Sequence, residues 1–184
     1  MKRLVIDTET TGLSPNINKT LTVGLLLIDV EKDFLDILDS SHVFVKHDNY
    51  NTTKEAMTVN KIDLVQHELH AVPQKKACHQ INRFIEKNVL HEIPLVGHNI
   101  AFDRGFLNSL FDQGETFHKF NHESEDTMWM WRNLQRKNLV PWNLRSNLQT
   151  IADFFKIDYT KSHDALADCE ITAQVYHKLL GLSQ

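Results

Sequence analysis

The sequence predicts one α/β domain, and three observations lead to that prediction. The 184 residues are about the length of a single domain. Apolar residues make up 41% and charged residues 24%, a globular composition that excludes collagen, low-complexity disorder and coiled coil. Strand-like runs come first along the chain, strand and helix patterns follow, and no linker rich in Pro, Gly or Ser interrupts them. We therefore expect residues 1–184 to form one domain.

Four apolar runs predict strands. Leu4-Val5-Ile6 is followed at once by a polar turn that contains glycine, which is typical of a buried central strand. Residues 21–30 and 34–45 form two longer β-branched stretches that a turn around Asp33 joins as a hairpin, with a weaker pattern over 35–40. Residues 94–97 predict one more short buried strand.

Helical spacing of apolar residues recurs in the second half of the chain. It predicts helices over residues 74–88, 102–111, 127–136, 146–155 and 165–180. Ser146 or Asn147 is expected to cap the fourth of these helices, and Ser162 or Asp164 the last.

Charge and cysteine usage limit the classes of function. With 24 acidic and 20 basic residues the net charge is −4, so nonspecific adhesion to nucleic acid is not indicated. A small cleft on an acidic protein can still be basic or loaded with metal ions and bind nucleic acid there. Cys78 and Cys169 fall in helical stretches outside any metal-ligand pattern, which favours buried free thiols in a reducing compartment. No apolar run is long enough for a signal peptide or a membrane span. We expect a soluble, cytoplasmic protein without membrane contact.

Four carboxylates and one histidine are candidates for chemistry. Asp7 and Glu9 share one face of the first strand, either as a solvated strand end or as oxygen ligands for Mg²⁺ or Mn²⁺. Asp103 lies early in a helix on an apolar face, although a helix N-terminus alone also favours an acid. Asp168 lies at the edge of the apolar stripe of the last helix, where a carboxylate needs a partner. His163, in the turn before that helix, is free to reach the same cleft.

These residues stand in three motifs that resemble those of the DnaQ-like 3′–5′ exonucleases of the DEDDh subclass. DTETTGL at residues 7–13 resembles the first motif, GHNIAFD at 97–103 the second and HDALAD at 163–168 the third. The sequence departs from the family at residues 60–62, where Asn-Lys-Ile replaces a common His-Gly-Ile turn. The resemblance covers about residues 1–180. It implies a ribonuclease-H-like fold, a five-stranded mixed sheet with helices on both faces and one antiparallel strand inside.

The resemblance also implies a mechanism and a set of site residues. Two Mg²⁺ or Mn²⁺ ions would be held by four carboxylates, those of Asp7, Glu9, Asp103 and Asp168. His163 would take the proton from the attacking water. The pocket for the terminal nucleotide would be lined by Thr10, Gly12 and Leu13. Leu13 would act as a wedge against the last bases or, alternatively, pack in the core. Three further residues would lie on the substrate side, namely His98, Asn99 and Phe102.

The expected activity is hydrolysis from the 3′ end of single-stranded DNA with release of 5′-mononucleotides. An exoribonuclease that trims RNA ends or short oligoribonucleotides is the alternative, because no linear motif reveals contacts to the 2′-OH. An inactive nucleic-acid-binding or polymerase-docking module is disfavoured, since all five chemical residues are present. The expected partners are single-stranded 3′ ends. A polymerase or a second copy of the chain stays open as a partner, although no C-terminal tethering segment is seen.

Three tryptophans in and after the predicted helix 127–136 suggest a platform for base stacking, namely Trp129, Trp131 and Trp142. Trp129 and Trp131 are two positions apart and so do not share a helix face, which favours an ordinary amphipathic helix over a stacking platform. Candidate phosphate contacts in this region are Arg132, Arg136, Lys137 and Arg145.

Overall fold

A six-stranded sheet runs through the computed structural model, which describes residues 1–160 and 163–182. Its strands are β1 (Lys2–Thr10), β2 (Thr20–Val30), β3 (Leu35–Lys46), β4 (Val72–Pro73), β5 (Leu95–Gly97) and β6 (Ser124–Asp126). They are ordered β4-β3-β2-β1-β5-β6. β2 is antiparallel to both of its neighbours, whereas β5 and β6 run parallel to β1, and β4 runs parallel to β3. The expected mixed sheet with one antiparallel strand is confirmed.

The sheet has one strand more than the five expected. The additional strand is β4, which pairs with the outer edge of β3 through Val72 opposite Val45 and Pro73 opposite Lys46. Two residues are too few to show the alternation that predicts a strand, and proline is a residue that strands ordinarily exclude. The weak pattern over residues 35–40 is nevertheless part of β3.

Seven helices lie along the described chain. They are α1 (Lys54–Asn60), α2 (Leu64–Glu68), α3 (Gln74–Lys87), α4 (Ile100–Gln113), α5 (Thr127–Arg136), α6 (Leu148–Phe155) and α7 (Ala165–Leu182). The five predicted helices are confirmed to within about two residues at most ends. Asn147 caps α6 and Asp164 caps the first turn of α7, while the alternative cap Ser162 lies outside the described residues. Within residues 1–160 and 163–182 no helix is long and apolar enough to cross a membrane.

Helices cover both faces of the sheet, and the alternation along β1 assigns its side chains to one face or the other. Leu4 and Ile6 pack in the core that α3 and α4 close, whereas Val5 packs against Cys169 of α7. Asp7 and Glu9 continue the α7 side, and Thr8 points to the α4 side. The strand therefore delivers two carboxylates to one face and a hydroxyl to the other.

The beginning of α7 lies unusually close to β2. A Cβ atom added to Gly24 would come within 2.3 Å of the Ala165 carbonyl oxygen. Only glycine permits this approach, which brings the first turn of α7 down onto the sheet beside β1. Both thiols, Cys78 and Cys169, are free and buried, as expected.

Candidate active site

Three carboxylates converge where β1 meets the first turn of α7. Ligand oxygens of Asp7, Glu9 and Asp168 all lie within 4.8 Å of one another. The predicted shared face of Asp7 and Glu9 is thus seen, and Asp168 does face the sheet from the apolar edge of α7, where it is buried. These three side chains come from the two ends of the described sequence.

Asp103 lies beside this cluster and is held from the other face of β1. Its side chain is 3% exposed, and its Oδ1 accepts a hydrogen bond of 2.7 Å from Thr8 Oγ1. It faces Asp7 closely enough for their charges to repel. The four predicted ligands therefore stand together, with Asp103 outside the set of three mutually close oxygens.

His163 is anchored to the cluster by its main chain. Its backbone N–H donates to Asp168 Oδ2 at 3.0 Å, and its φ of 74° lies in the left-handed region. Asp164 accepts from the N–H groups of Leu166 and Ala167 and so starts α7 immediately afterwards. The histidine is in the turn before the helix, as predicted, and with Glu9 it lines a cavity of about 210 Å³.

Burial and mutual repulsion perturb the acids of the cluster. Burial, and then the charges of Asp103, Asp168 and Glu9, raise the pKa of Asp7 well above its usual range. Burial, followed by the charge of Asp168, raises the pKa of Glu9 to about 8. Burial also raises the pKa of Asp103 to about 7 against the opposing effect of the Thr8 hydroxyl. The protein alone therefore does not stabilise four negative charges here.

These residues fit divalent cations. All four offer carboxylate oxygens, the ligands that Mg²⁺ and Mn²⁺ prefer. Asp168 Oδ1 is buried and has no hydrogen-bond partner among the described residues, which costs free energy unless a cation or water faces it. Positive charge at this point would also remove the repulsion that raises the pKa values.

A larger cavity of about 600 Å³ opens next to the cluster. Glu9 belongs to both, and four of the predicted substrate residues line the cavity, namely Thr10, Gly12, Leu13 and Phe102. Leu13 is 83% exposed, so core packing, the alternative for this residue, is wrong. Its apolar side chain stands free at the edge of a space large enough for a nucleotide.

The turn that carries Leu13 is fixed by hydrogen bonds. Thr10 Oγ1 donates to the Gly12 carbonyl at 2.7 Å, and Asn60 Nδ2 donates to the Thr10 carbonyl at 3.0 Å. A Cβ atom on Gly12 would lie 2.4 Å from the Asn18 side chain, so only glycine fits there. Leu13 is therefore held in place although it is exposed.

His98 and Asn99 do not line that cavity. They border a separate groove of about 580 Å³ at the ends of β5 and β6. Asn99 has a left-handed φ of 61°, and its N–H donates to Asp126 Oδ1 at 3.0 Å. His98 Nδ1 lies 2.9 Å from Thr127 Oγ1, and burial lowers the pKa of this imidazole to about 4. His98 is consequently neutral near pH 7.

Three residues that position the site were not among the predicted ones. Thr8 holds Asp103, Asn60 holds the turn after β1, and Asp126 joins the first turns of α4 and α5 by accepting from main-chain N–H groups of both. The alternation of side chains along β1 could have predicted a separate role for Thr8, because its side chain points to the face opposite to Asp7 and Glu9. Asn60 occupies the position at which the sequence departs from the family turn.

Comparison with known proteins agrees with this geometry. The RNase_T family model, described as an exonuclease, matches residues 4–176. Ribonuclease T of Shewanella denitrificans is 28% identical over 185 residues, which cover 94% of this chain and 77% of that protein. Ribonuclease T of Wigglesworthia glossinidia brevipalpis is 25% identical over 188 residues, covering 97% and 84%.

Solved structures share the fold. The E. coli exonuclease I–single-stranded DNA complex in its zinc-bound form superimposes with a TM-score of 0.78 at 19% identity, over 100% of this chain and 41% of exonuclease I. This chain thus spans about two fifths of that protein. The nuclease domain of 3′hExo, a DEDDh family member bound to rAMP, gives a TM-score of 0.78 at 17% identity, covering 97% and 91%. The chain therefore belongs to the RNase_T family of DnaQ-like 3′–5′ exonucleases, the DEDDh type with a ribonuclease-H-like fold.

Proposed function

We propose that residues 1–184 act as one divalent-metal-dependent domain that removes 5′-mononucleotides from the 3′ end of single-stranded DNA. The observation that carries the proposal is the position of Glu9, which lines the 600 Å³ cavity and also belongs to the carboxylate cluster. A terminal nucleotide in the cavity has its 5′ phosphate beside the cluster. Cleavage there releases one nucleotide at a time.

The carboxylates have the role of holding the cations. Asp7, Glu9 and Asp168 are close enough to hold one ion together, and Asp103, held by Thr8, would help to hold a second. Two bound Mg²⁺ or Mn²⁺ ions supply the positive charge that a phosphodiester needs during an in-line displacement. The protein adds rigidity, because both Asp103 and Asp168 are buried and fixed by hydrogen bonds.

His163 has the role of general base. It takes the proton from the water that attacks phosphorus, the general-base role that histidine serves most often in enzymes. Its main-chain bond to Asp168 keeps the turn next to the cluster while the side chain stays outside the ligand set. Loss of the imidazole should therefore affect turnover more than metal binding.

Leu13 and Phe102 have the role of holding the terminal nucleotide. Both are apolar and border the same cavity, and bases removed from their stack bind to apolar and aromatic side chains. The exposed Leu13 on its fixed turn separates the last base from its neighbour.

Free buried thiols also support a reducing compartment, and we place the activity in the cytoplasm.

RNA is the second candidate substrate, and one observation favours it. The curated relatives that match nearly the whole chain carry the name Ribonuclease T, whereas the exonuclease I structure compared above is a complex with single-stranded DNA. Both substrates therefore belong in the test.

The deciding experiment compares single-stranded DNA, duplex DNA and RNA of one sequence, each labelled at the 3′ end, with Mg²⁺ or Mn²⁺. The label should leave first, as a mononucleotide, and a chelator should stop the reaction. Asp103→Asn should be inactive on every substrate, while the exposed Asp36→Asn serves as a matched control with wild-type rates. Internal fragments as first products, or full activity of Asp103→Asn, would show that the proposal is wrong.

A further inference from the structure

A groove of about 580 Å³ lies along α5. It is bordered by His98, Asn99, Arg132, Gln135, Arg145 and Ser146. Among the described residues that line it none is acidic, although the whole chain has a net charge of −4. The nearest carboxylate, Asp126, is turned to main-chain N–H groups of α4 and α5. The groove is thus a cationic surface on an acidic protein.

The groove begins next to the active site. β1 and β5 are parallel, with Val5 opposite Val96, so the end of β5, which His98 follows, lies beside the strand that carries Asp7. Asn99 and Phe102 are three residues apart at the beginning of α4, yet Asn99 lines the groove and Phe102 the nucleotide cavity. The beginning of α4, which also carries Asp103 of the cluster, therefore connects the cavity with the groove.

Two arginines are available to anions there. Arg132 is fixed by a hydrogen bond of 3.0 Å from its Nε to Ser146 Oγ, and its guanidinium lies 4.9 Å from the centre of the Trp129 ring. The bond leaves the terminal nitrogens of Arg132 without a hydrogen bond to the described residues. Arg145 is exposed on the opposite wall. A prepositioned guanidinium of this kind matches a phosphate.

Exposed tryptophans lie beside these arginines. Trp129 is 48% exposed and Trp142 is 81% exposed, whereas Trp131 is fully buried in the core. Gln135 Nε2 donates to the Pro141 carbonyl at 3.0 Å and to the Leu144 carbonyl at 2.8 Å, which fixes the loop that carries Trp142 to α5. Neither ring lines the groove itself, but each lies within two residues of its lining. Exposed aromatic rings next to a cationic groove are a pattern that single-stranded nucleic acids occupy, by base stacking.

We propose that this groove binds the part of the single strand that lies 5′ of the scissile bond, with phosphates at Arg132 and Arg145 and bases against Trp129 and Trp142. The proposal rests on the proposed function, because the terminal nucleotide in the cavity directs the rest of the strand across the cluster. It makes strand length a determinant of affinity. A dinucleotide ends at the cluster, whereas a longer strand reaches the arginines.

The first test measures binding, with Ca²⁺ in place of Mg²⁺ to prevent hydrolysis. The probes are fluorescent twelve-nucleotide oligothymidylate and oligouridylate, titrated by anisotropy between about 50 and 200 mM salt. Arg145→Ala should lower the slope of log K against log salt by about 0.7, the contribution of one single-strand phosphate. The matched control is Arg83→Ala, an exposed arginine on α3 that is remote from the groove.

The second test removes the stacking surface. Trp142→Ala should weaken binding of the twelve-nucleotide strands about 5- to 100-fold, the range for loss of one base–aromatic stack. Phe117→Ala is the matched control, because Phe117 is 95% exposed but lies between α4 and β6, whereas Trp142 lies in the loop that Gln135 holds against α5. In addition, oligothymidylate should quench the fluorescence of wild type more than that of the Trp142→Ala variant.

The third test compares a dinucleotide with the twelve-nucleotide strands. Arg145→Ala and Trp142→Ala should lower affinity for the long strands by a much larger factor than affinity for the dinucleotide. Equal losses for the two lengths, or losses no larger than those of Arg83→Ala and Phe117→Ala, would overturn the groove proposal. If wild type hydrolyses no strand but the binding losses are length-dependent, the proposed function fails and the groove proposal stands.

Discussion

Removing one charge from the carboxylate cluster should stabilise the metal-free protein. Asp168→Asn keeps the volume of the side chain, and the amide oxygen can still accept the 3.0 Å bond from the His163 N–H. What it removes is the negative charge within 4.8 Å of Asp7 and Glu9. A residue kept for its packing would be destabilised by this exchange, whereas a metal ligand in the absence of metal is relieved by it.

The size of the effect depends on pH. Two unit charges 4.8 Å apart interact by about 3 kcal/mol at an effective dielectric constant of 20. The pKa of Glu9 is raised to about 8 when the protein is folded, so folding takes up protons and the free energy of unfolding falls as pH rises from about 4.5 to 8. Asp168→Asn should therefore stabilise by about 2–3 kcal/mol at pH 9 and by under about 1 kcal/mol at pH 5, where Glu9 is protonated.

Urea unfolding followed by circular dichroism in a chelator measures this difference. Glu170→Gln, an exposed acid on the same helix, is the matched control and should stay within about 0.5 kcal/mol of wild type. Added Mg²⁺ should reverse the order, since ligand at a hundredfold excess over its Kd stabilises by about 2.7 kcal/mol and the variant binds less of it. An Asn variant that is less stable than wild type at pH 9 in chelator would refute the reasoning.

Three other changes test the positioning of the site. Thr8→Val removes the hydroxyl that donates to Asp103, so the free energy of unfolding should fall by about 1–3 kcal/mol and turnover should also fall. Thr8→Ser keeps the hydroxyl and should retain both; equal turnover in the two variants would exclude this role. His163→Ala should turn over about 10²–10⁴-fold more slowly in a pH–rate profile yet bind a single strand with Ca²⁺ almost normally; loss of both would make it a binding residue. Gly24→Ala should lower the free energy of unfolding, measured by thermal unfolding, by about 1–3 kcal/mol, because its Cβ meets the main chain of α7. Gly181→Ala has open space around it and should raise the free energy of unfolding by about 0.5–1 kcal/mol. Similar values for the two variants would contradict the close approach of α7 to β2.

Most of the elements that the sequence predicted are long enough to show a period; the exception is β5, whose three residues were predicted from a short apolar run. β2, β3 and the five longer helices present two or more turns or alternations of apolar residues. α2 has five residues, and β4 and β6 have two and three, so each lacks a pattern of its own. These short pieces form because longer neighbours are already in place, as β4 does along the edge of β3.

The features of the candidate site also divide into those that a local sequence pattern predicts and those that it does not. Asp7, Glu9, Asp103 and Asp168 were predictable from motifs and from their faces on strand or helix. The substrate-side role predicted for His98, Asn99 and Phe102 stays a prediction. The motif does not show that the first two line the groove and the third the nucleotide cavity, a division that comes at the left-handed turn of Asn99. Hydrogen bonds such as that between Thr8 and Asp103 join residues far apart in sequence, and no local pattern encodes them.

The order in which the ligands are synthesised has a consequence for the nascent chain. β1, which carries Asp7 and Glu9, is synthesised before α7, and the cluster closes only when α7 docks beside β1 with Asp168. Until then the early carboxylates lack Asp168, which completes the close set of three. We therefore expect a chain interrupted before α7 to lack the proposed nuclease activity, which would arise only once this helix is in place.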